Sequence, residues 1–392
     1  MKLLYTNFHD GDGGGHTTYI ALLAGALSAR HEIHVAAPAG SRLLREAQSL
    51  PGVHAIAQEF PNGLKRMAAR MRARRSLARL LRANDFDIVH VNGSSDHRLV
   101  LSAIRGLSHS PRIVLTKHNS KAISGLGHLL RARATDQVIA VCNHTLGQLQ
   151  SSAYRRCRLA TVYNGIDTAY FAPYSEDLRR IQRSRWLGDQ TSLLIGSNAG
   201  TGAYKGWMDL VEALALLPEA LRTRIRVVIA GKPASQEQTT RIAELGLSDR
   251  VQFPGLLTDV RPMVAALDAG FVLSHQVETI SFACREMMSM GKPVLVSDYA
   301  GLPENIEHGR DGWIVPARNR DAIASALEHM LEERGALTAM GSAARERALA
   351  EFGLERFVGS TEEVYRALLP DNAAALSATV EGPAQTQLGE AA

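Results

Sequence analysis

The chain has 392 residues, 45% of them hydrophobic and 21% charged, which fits two or three domains with cores of their own and excludes a disordered, fibrous or small disulfide-stapled protein. Three cysteines, Cys142, Cys157 and Cys284, stand at no metal-ligand spacing and point to a reducing compartment without a structural zinc. The net charge of +5 divides unevenly: residues 1–180 hold 24 Lys and Arg against 12 Asp and Glu, residues 181–392 hold 20 against 27, so the halves suit different electrostatic partners.

The opening MKLLYTNFHDGDGGG turns polar too soon for a signal peptide, and no apolar run approaches the roughly 18 residues of a membrane span, so a soluble cytoplasmic protein is expected. Short β-branched runs then alternate with helical patterns throughout, which predicts an α/β protein with parallel sheets. The first strand, KLLYTNF, leads into HDGDGGGH and a helix whose apolar residues at 19, 20, 22, 23, 26 and 27 share one face. Gly13, Gly14 and Gly15 thus stand where backbone N–H groups at a helix start can meet an anion, although a tight strand-to-helix turn alone also accounts for them. The third glycine of the dinucleotide fingerprint is absent, which disfavours a nicotinamide or flavin enzyme.

Further strands are predicted at EIHVAAP, FDIVHVNG, RIVLTKHN, QVIAVCN and RLATVYNG. Among them, NGLKRMAARMRARRSLARLLRAND carries eight Lys and Arg with no acid between Glu59 and Asp85, and an apolar component from Met67, Met71, Leu77, Leu80 and Leu81. Such a helix suits an anionic membrane surface, with Lys65, Arg66, Arg70 and Arg74 facing it, or else packs on the sheet with a solvated outer face. With 5% aromatic residues and no nucleic-acid module, nucleic acid is not an expected partner.

The stretch IDTAYFAPYSEDLRRIQRSRWLGDQ lacks strand periodicity and marks a junction, which gives a first domain at 1–175. A second series, SLLIGSNA, RIRVVIAG, RVQFPG, AGFVLSH, PVLVSD and DGWIVPA, fills a second domain at 176–353. A helix follows at 354–369, and a tail at 370–392, without aromatics, Lys or Arg, reads as disordered. Two doubly wound, Rossmann-like domains would face each other across a cleft at the carboxyl ends of their strands. In IGSNAGTGAYKGWMDLVEAL, Lys205 precedes a helix and can neutralise a phosphate, or is simply solvated; the Walker sequence is absent. In LSHQVETISFACREMMSMGKPVLVSDYAGLPENIEHGRDGWIVP, Glu278 lies in a loop and Glu286 in a helix starting near Ile280 or Ser281. The N–H groups of Ser281 to Cys284 would point at an anion, and Glu286 could take a ribose diol or be an ordinary exposed helix residue.

Glu278 and Glu286, with seven residues between them and followed by MMSMGKPVLVSDYAGLPENIEHGRDGWIVP, resemble the donor-site signature of the family 4 retaining glycosyltransferases of GT-B fold. The glycine-rich first loop, the NGID at Asn164 to Asp167, the Lys-Gly at Lys205 and the final helix occur in the same order, over about residues 1–368. The resemblance implies transfer of a sugar from a nucleotide diphosphate sugar to a hydroxyl of a lipid-linked surface glycan such as lipopolysaccharide, by a cytoplasmic protein held peripherally at the inner face of the membrane. It makes Glu286 the ribose ligand, places Glu278 by the donor sugar or phosphates and gives Lys205 the diphosphate. Ser281, Phe282 and Ala283 lay their backbone over the phosphates, Asn198 belongs to the donor loop, Gly14 and Gly15 close against donor or acceptor, and His118 in LTKHN contacts the transferring sugar. His118, Lys205 and Glu278 are thus the expected catalytic groups.

The resemblance implies neither cofactor nor metal. The Asp-x-Asp spacings at Asp10 with Asp12 and Asp85 with Asp87 are accounted for by a turn and a strand boundary. Two departures stand out. The arginine that the family commonly has before Lys-Gly is missing, with only Ser197 and Asn198 in that loop, and Thr279 to Phe282 replace a Gly-Phe-Gly-like stretch. They motivate a second reading, a catalytically silent GT-B scaffold that binds a glycan or a membrane; a sugar-nucleotide epimerase is a further alternative.

Overall fold

The computed structural model describes residues 1–11, 14–63, 66–187 and 192–369, so the expectation of a disordered tail lies outside the described residues. Seven strands, β1 (Lys2–Thr6), β2 (Glu32–Ala37), β3 (Val53–Ala57), β4 (Ile88–Val91), β5 (Arg112–Lys117), β6 (Gln137–Ala140) and β7 (Arg158–Thr161), form one parallel sheet in the order β3-β2-β1-β4-β5-β6-β7. Six more, β8 (Leu193–Ser197), β9 (Ile225–Ile229), β10 (Val251–Gln252), β11 (Ala269–Val272), β12 (Val294–Ser297) and β13 (Gly312–Val315), form a second parallel sheet in the order β10-β9-β8-β11-β12-β13. Helices cover the faces of both, which is why the central strands are buried end to end and read as unbroken apolar runs. Strand β3 escapes the sequence pattern because VHAIA, at the sheet edge, is partly exposed and holds only Val53 and Ile56 as large apolar residues.

In each sheet the strand order reverses once, between β1 and β4 and between β8 and β11, and ligands bind such sheets outside the carboxyl ends at that switch point. The helix Leu354–Arg366 returns to the first sheet, where Phe357, Val358 and Tyr365 join its core. The Tyr365 hydroxyl lies 2.6 Å from His90 Nδ1 on β4 and donates to Tyr5 on β1 at 3.1 Å. The two chain crossings between the sheets meet where Ile166 N–H donates to the Phe352 carbonyl at 2.9 Å.

Polar contacts tie the lobes together. The Glu304 carboxylate accepts the N–H groups of Asn143 and His144, 2.8 Å each, at the start of the helix Asn143–Gln150. Arg285, wholly buried, donates to Asn305 Oδ1 at 2.8 Å and to the Asn164 carbonyl, and its guanidinium lies 3.8 Å from the Phe352 ring centroid.

Candidate active site

The loops that leave β1, β5 and β7 face those that leave β8 and β11 across a cavity of about 860 Å³. From the first domain come Gly14 and Gly15, opening the helix Gly14–Leu27, and His118 after β5. From the second come Asn198 after β8, Lys205, Glu278 after β11 and Glu286. Ser281, Phe282 and Ala283 complete that wall, so every donor-site residue expected from the sequence lines this one cavity. The Phe282 ring comes within 3.6 Å of where a Cβ on Gly15 would stand, and this contact brings the two walls together.

Lys205 ends the 3₁₀ turn Ala203–Lys205, and Gly206 follows at φ 69°. A Cβ on Gly206 would sit 1.9 Å from the Leu273 carbonyl oxygen, so only glycine lets the chain turn here and aim the lysine inward. Lys205 Nζ donates to Glu278 Oε2 at 2.6 Å, and Ser274 Oγ donates to the same oxygen at 3.3 Å. Glu278 therefore fixes the ammonium on the wall of the cavity. Lys121 of the first domain also lines the cavity.

Glu286 sits on the helix Phe282–Ser289, in the neighbourhood predicted. Ser281, at φ 50°, forces the sharp entry into that helix, and no side chain caps its first turn, which leaves its N–H groups on the cavity side for a ligand. Asn198 Nδ2 donates to Glu286 Oε2 at 2.6 Å. Burial pushes the Glu286 carboxyl up to about 7, against the pull of the Asn198 hydrogen bond.

Hydrogen-bond bookkeeping fixes the state of His118. Asn92 Nδ2 gives its two hydrogens to the carbonyls of Thr6, at 3.1 Å, and His90, at 3.3 Å, so Asn92 Oδ1 is left as an acceptor. His118 Nε2, 2.8 Å away, must donate to it. Burial, together with His16 and His90 nearby, holds the His118 pKa well below the usual histidine range. His118 is then a neutral imidazole with Nδ1 as its lone-pair side, suited to accept a hydroxyl hydrogen bond and not to act as a cation. Beneath it, Asn92 N–H donates to Asp96 at 2.7 Å, and Thr279 Oγ1 of the second domain donates to the His118 carbonyl at 3.1 Å.

The Glycosyltransferase Family 4 model matches residues 13–170 and the Glycosyl transferases group 1 model matches residues 179–347, so together they account for most of the chain. The chain belongs to the family 4 glycosyltransferases. It is 25% identical over 370 residues to the GDP-mannose-dependent alpha-(1-6)-phosphatidylinositol monomannoside mannosyltransferase of Mycobacterium tuberculosis, across 89% of this chain and 94% of that protein. It is 27% identical over 268 residues to the lipopolysaccharide core biosynthesis mannosyltransferase LpsB of Rhizobium meliloti, across 66% of this chain and 73% of that one. Anabaena Alr3699/HepE in complex with UDP superposes with a TM-score of 0.78 at 18% identity, over 94% of this chain and all of that one, which shows the GT-B fold.

Elsewhere this family 4 glycosyltransferase departs from the sequence reading in ways that packing explains. The basic segment forms the helix Met67–Ala83 with Leu77 and Leu81 buried, so it packs on the sheet and also carries an exposed basic face. Arg66 is exposed, Arg70 is half-buried, Arg74 turns inward to donate from Nε to the Ser102 carbonyl at 2.9 Å, and Lys65 lies outside the described residues. No helix among the described residues is long and apolar enough to cross a membrane. Asp12 lies outside the described residues, and Asp87 of the second Asp-x-Asp accepts the Lys2 N–H at 2.7 Å, as a strand-boundary residue would. Sequence reasoning passed over Asn92 and Arg285, which no local motif distinguishes; Asn92 meets His118 26 residues away, and Arg285 meets Asn164 and Asn305, 121 and 20 residues away.

Proposed function

We propose that the protein is a retaining glycosyltransferase that moves a sugar from a nucleoside diphosphate sugar to a hydroxyl of a lipid-linked surface glycan of the lipopolysaccharide kind, without a metal or other cofactor. The observation that carries this reading is the convergence of Lys205, Glu286, the open first turn of the helix Phe282–Ser289 and His118 on one cleft. Glu286 takes the ribose hydroxyls, and the helix amides with Lys205 take the two phosphates. As the glycosidic bond breaks, charge grows on the leaving phosphate oxygen, where Lys205 and the amides stabilise it. The sugar becomes oxocarbenium-like, and the acceptor hydroxyl bonds to the anomeric carbon from the face the phosphate leaves. Its proton passes to the departing phosphate, so no protein carboxylate need act as nucleophile. His118, neutral, accepts from a sugar hydroxyl. Closure of Phe282 on Gly15 excludes water that would otherwise hydrolyse the donor. The relatives named for GDP-mannose and for lipopolysaccharide core synthesis support the donor and acceptor classes.

The test is a panel of GDP- and UDP-sugars with a lipid-linked acceptor, read by the anomeric coupling in the proton spectrum of the product. Products keep the α-configuration of an α-linked donor. A β-linked product refutes retention, and an altered sugar nucleotide formed without acceptor shows an epimerase.

A lipid-linked acceptor would call for work at the inner face of the membrane, and the surface of the first domain supports that reading. Leu126 and Leu130, one turn apart on the helix Leu126–Ala132, are 83% and 67% exposed, and Met67 and Met71 are 53% and 41% exposed on the basic helix. Arg98 connects the two patches: burial and the charges of Arg131 and Arg70 beside it lower its pKa. Apolar side chains set among cations match an anionic lipid surface. Burying a leucine contributes about 1.5–3 kcal/mol. Leu126→Ser with Leu130→Ser is expected to weaken partitioning onto phosphatidylglycerol-containing vesicles about 10- to 100-fold, in a sedimentation assay at fixed salt. Unchanged partitioning would rule these leucines out as the contact.

A further inference from the structure

Between β11 and the helix Phe282–Ser289 the chain holds a conformation that its residues do not favour. Val277 stands at φ 56°, in the left-handed region, which a β-branched side chain enters only where its surroundings enforce it. Tyr299, in the turn after β12, supplies a contact that does so: its hydroxyl accepts the Val277 N–H at 3.1 Å. The same hydroxyl lies 2.9 Å from Ser120 Oγ of the first domain. Its oxygen takes the Val277 hydrogen and its own hydrogen is free for Ser120 Oγ, so one phenol joins a strained backbone in one domain to a loop of the other.

Both ends of this connection lead to the cleft. On the second-domain side, Val277 precedes Glu278, whose carboxylate holds the Lys205 ammonium at 2.6 Å. Two residues before Val277, His275 N–H donates to the Tyr204 carbonyl at 2.9 Å, so segment 275–278 grips the turn Ala203–Lys205 by its main chain as well as by its ammonium. On the first-domain side, Gln148 Nε2 donates to the Ser120 carbonyl at 2.7 Å, and Lys117 Nζ donates to Asn119 Oδ1 at 2.9 Å and to the Lys121 carbonyl at 2.8 Å, which braces the loop 117–121. His118 stands in that loop, and its carbonyl accepts the Thr279 hydroxyl from across the cleft. Neither Tyr299 nor Ser120 lines the cavity, so an effect of either on a ligand must pass through the residues that do.

We infer, on the reading of Lys205 as the cation for the donor diphosphate, that Tyr299 is the positioning residue for that lysine. Its hydroxyl holds Val277 in the strained form that aims Glu278 at Lys205, and it does so with the first-domain loop docked at Ser120, so that closing the cleft and setting the phosphate-binding cation are one event. Loss of the hydroxyl lets Val277 relax toward ordinary backbone, turns Glu278 away and leaves the ammonium unheld.

Calorimetry on the full chain, with GDP and with UDP as probes, tests this in the wild type, Lys205→Ala, Tyr299→Phe, Ser120→Ala and the double variant of Tyr299→Phe with Lys205→Ala. For whichever nucleotide binds the wild type, Lys205→Ala should weaken binding about tenfold or more, as the loss of a charge-assisted contact does. Tyr299→Phe and Ser120→Ala should each weaken it about three- to tenfold, the weight of one net hydrogen bond. In the Lys205→Ala background, Tyr299→Phe should shift the dissociation constant by less than about twofold, because the lysine through which it acts is gone. A merely structural tyrosine would lower the fraction of chains that bind, read as the stoichiometry, and leave the dissociation constant alone. Should Tyr299→Phe fail to fold, Ser120→Ala carries the same test from the first domain. Wild-type affinity in Tyr299→Phe or in Ser120→Ala, or the same loss in both backgrounds, overturns the positioning role while leaving Lys205 at the phosphates. Wild-type affinity in Lys205→Ala, or no binding of either nucleotide, removes the reading of Lys205 itself, and the role of Tyr299 with it.

Discussion

Lys205→Ala is expected to lower the rate constant of transfer by about 10²–10³-fold, the usual cost of removing one preorganised group that stabilises developing charge. The physical reason lies in the pairing of Lys205 with Glu278 at 2.6 Å. In the wild type the carboxylate holds the ammonium in place and the ammonium neutralises the carboxylate. Without the lysine, the cavity presents Glu278 as an uncompensated anion to a leaving diphosphate, so repulsion adds to the lost attraction. Lys205 lies in a 3₁₀ turn on the cleft wall, outside the buried core, so the melting temperature should change little. Single-turnover assays with saturating donor separate the chemical step from binding. A variant that transfers at the wild-type rate would remove Lys205 from the mechanism. Glu278→Gln makes the complementary case: it keeps the hydrogen-bonding shape but loses the charge, and its effect should be smaller than that of Lys205→Ala.

Much of this site was legible in the sequence because it is built from short segments with strong local rules. The Lys-Gly step puts a cation just before a helix, and two glutamates with seven residues and a helix start between them place the acids on one wall. The parallel sheets were legible for the same reason, since strands covered on both faces read as apolar runs. What remained hidden depends on residues far apart in the chain. Asn92 sets the tautomer of His118 through a contact that spans two strands, and Arg285 is buried only because Asn164, Asn305 and Phe352 converge on it from three segments. Edge strand β3 was hidden for a different reason. Its pairing with β2, Ile33 beside Val53, is the work of backbone hydrogen bonds that a weakly apolar pentapeptide does not advertise. The exposure of Leu126 and Leu130 emerges only once the helix is placed on the surface.

Glu286→Gln should move stability and function in opposite directions. The folded chain holds the Glu286 proton up to about pH 7, whereas an unperturbed glutamate releases it near 4.5. Below pH 4.5 the side chain is protonated in both states and its burial carries no ionic penalty. As pH rises from 4.5 through 7 the unfolded chain ionises first, and folding loses about 3 kcal/mol by pH 8, at 1.36 kcal/mol per unit. Glutamine avoids that loss and still accepts the Asn198 hydrogen bond, so the variant should melt above the wild type at pH 8, with the gap closing toward pH 4.5. Donor binding should respond the other way. A carboxylate accepts ribose hydroxyls through charge-assisted hydrogen bonds worth about 1.5–3 kcal/mol each, so the variant's donor KM should rise by about 10²-fold at pH 8. Wild-type donor affinity should strengthen as pH rises through 7, where the carboxylate forms, and the Gln variant should show no such limb. Thermal melts at both pH values, with donor KM measured from pH 6 to 8.5, test the pair of effects together. A structural glutamate would lose stability on substitution and leave KM alone; that result would remove Glu286 from the donor site, because a group kept in the cleft at a cost to folding must otherwise recover it by binding.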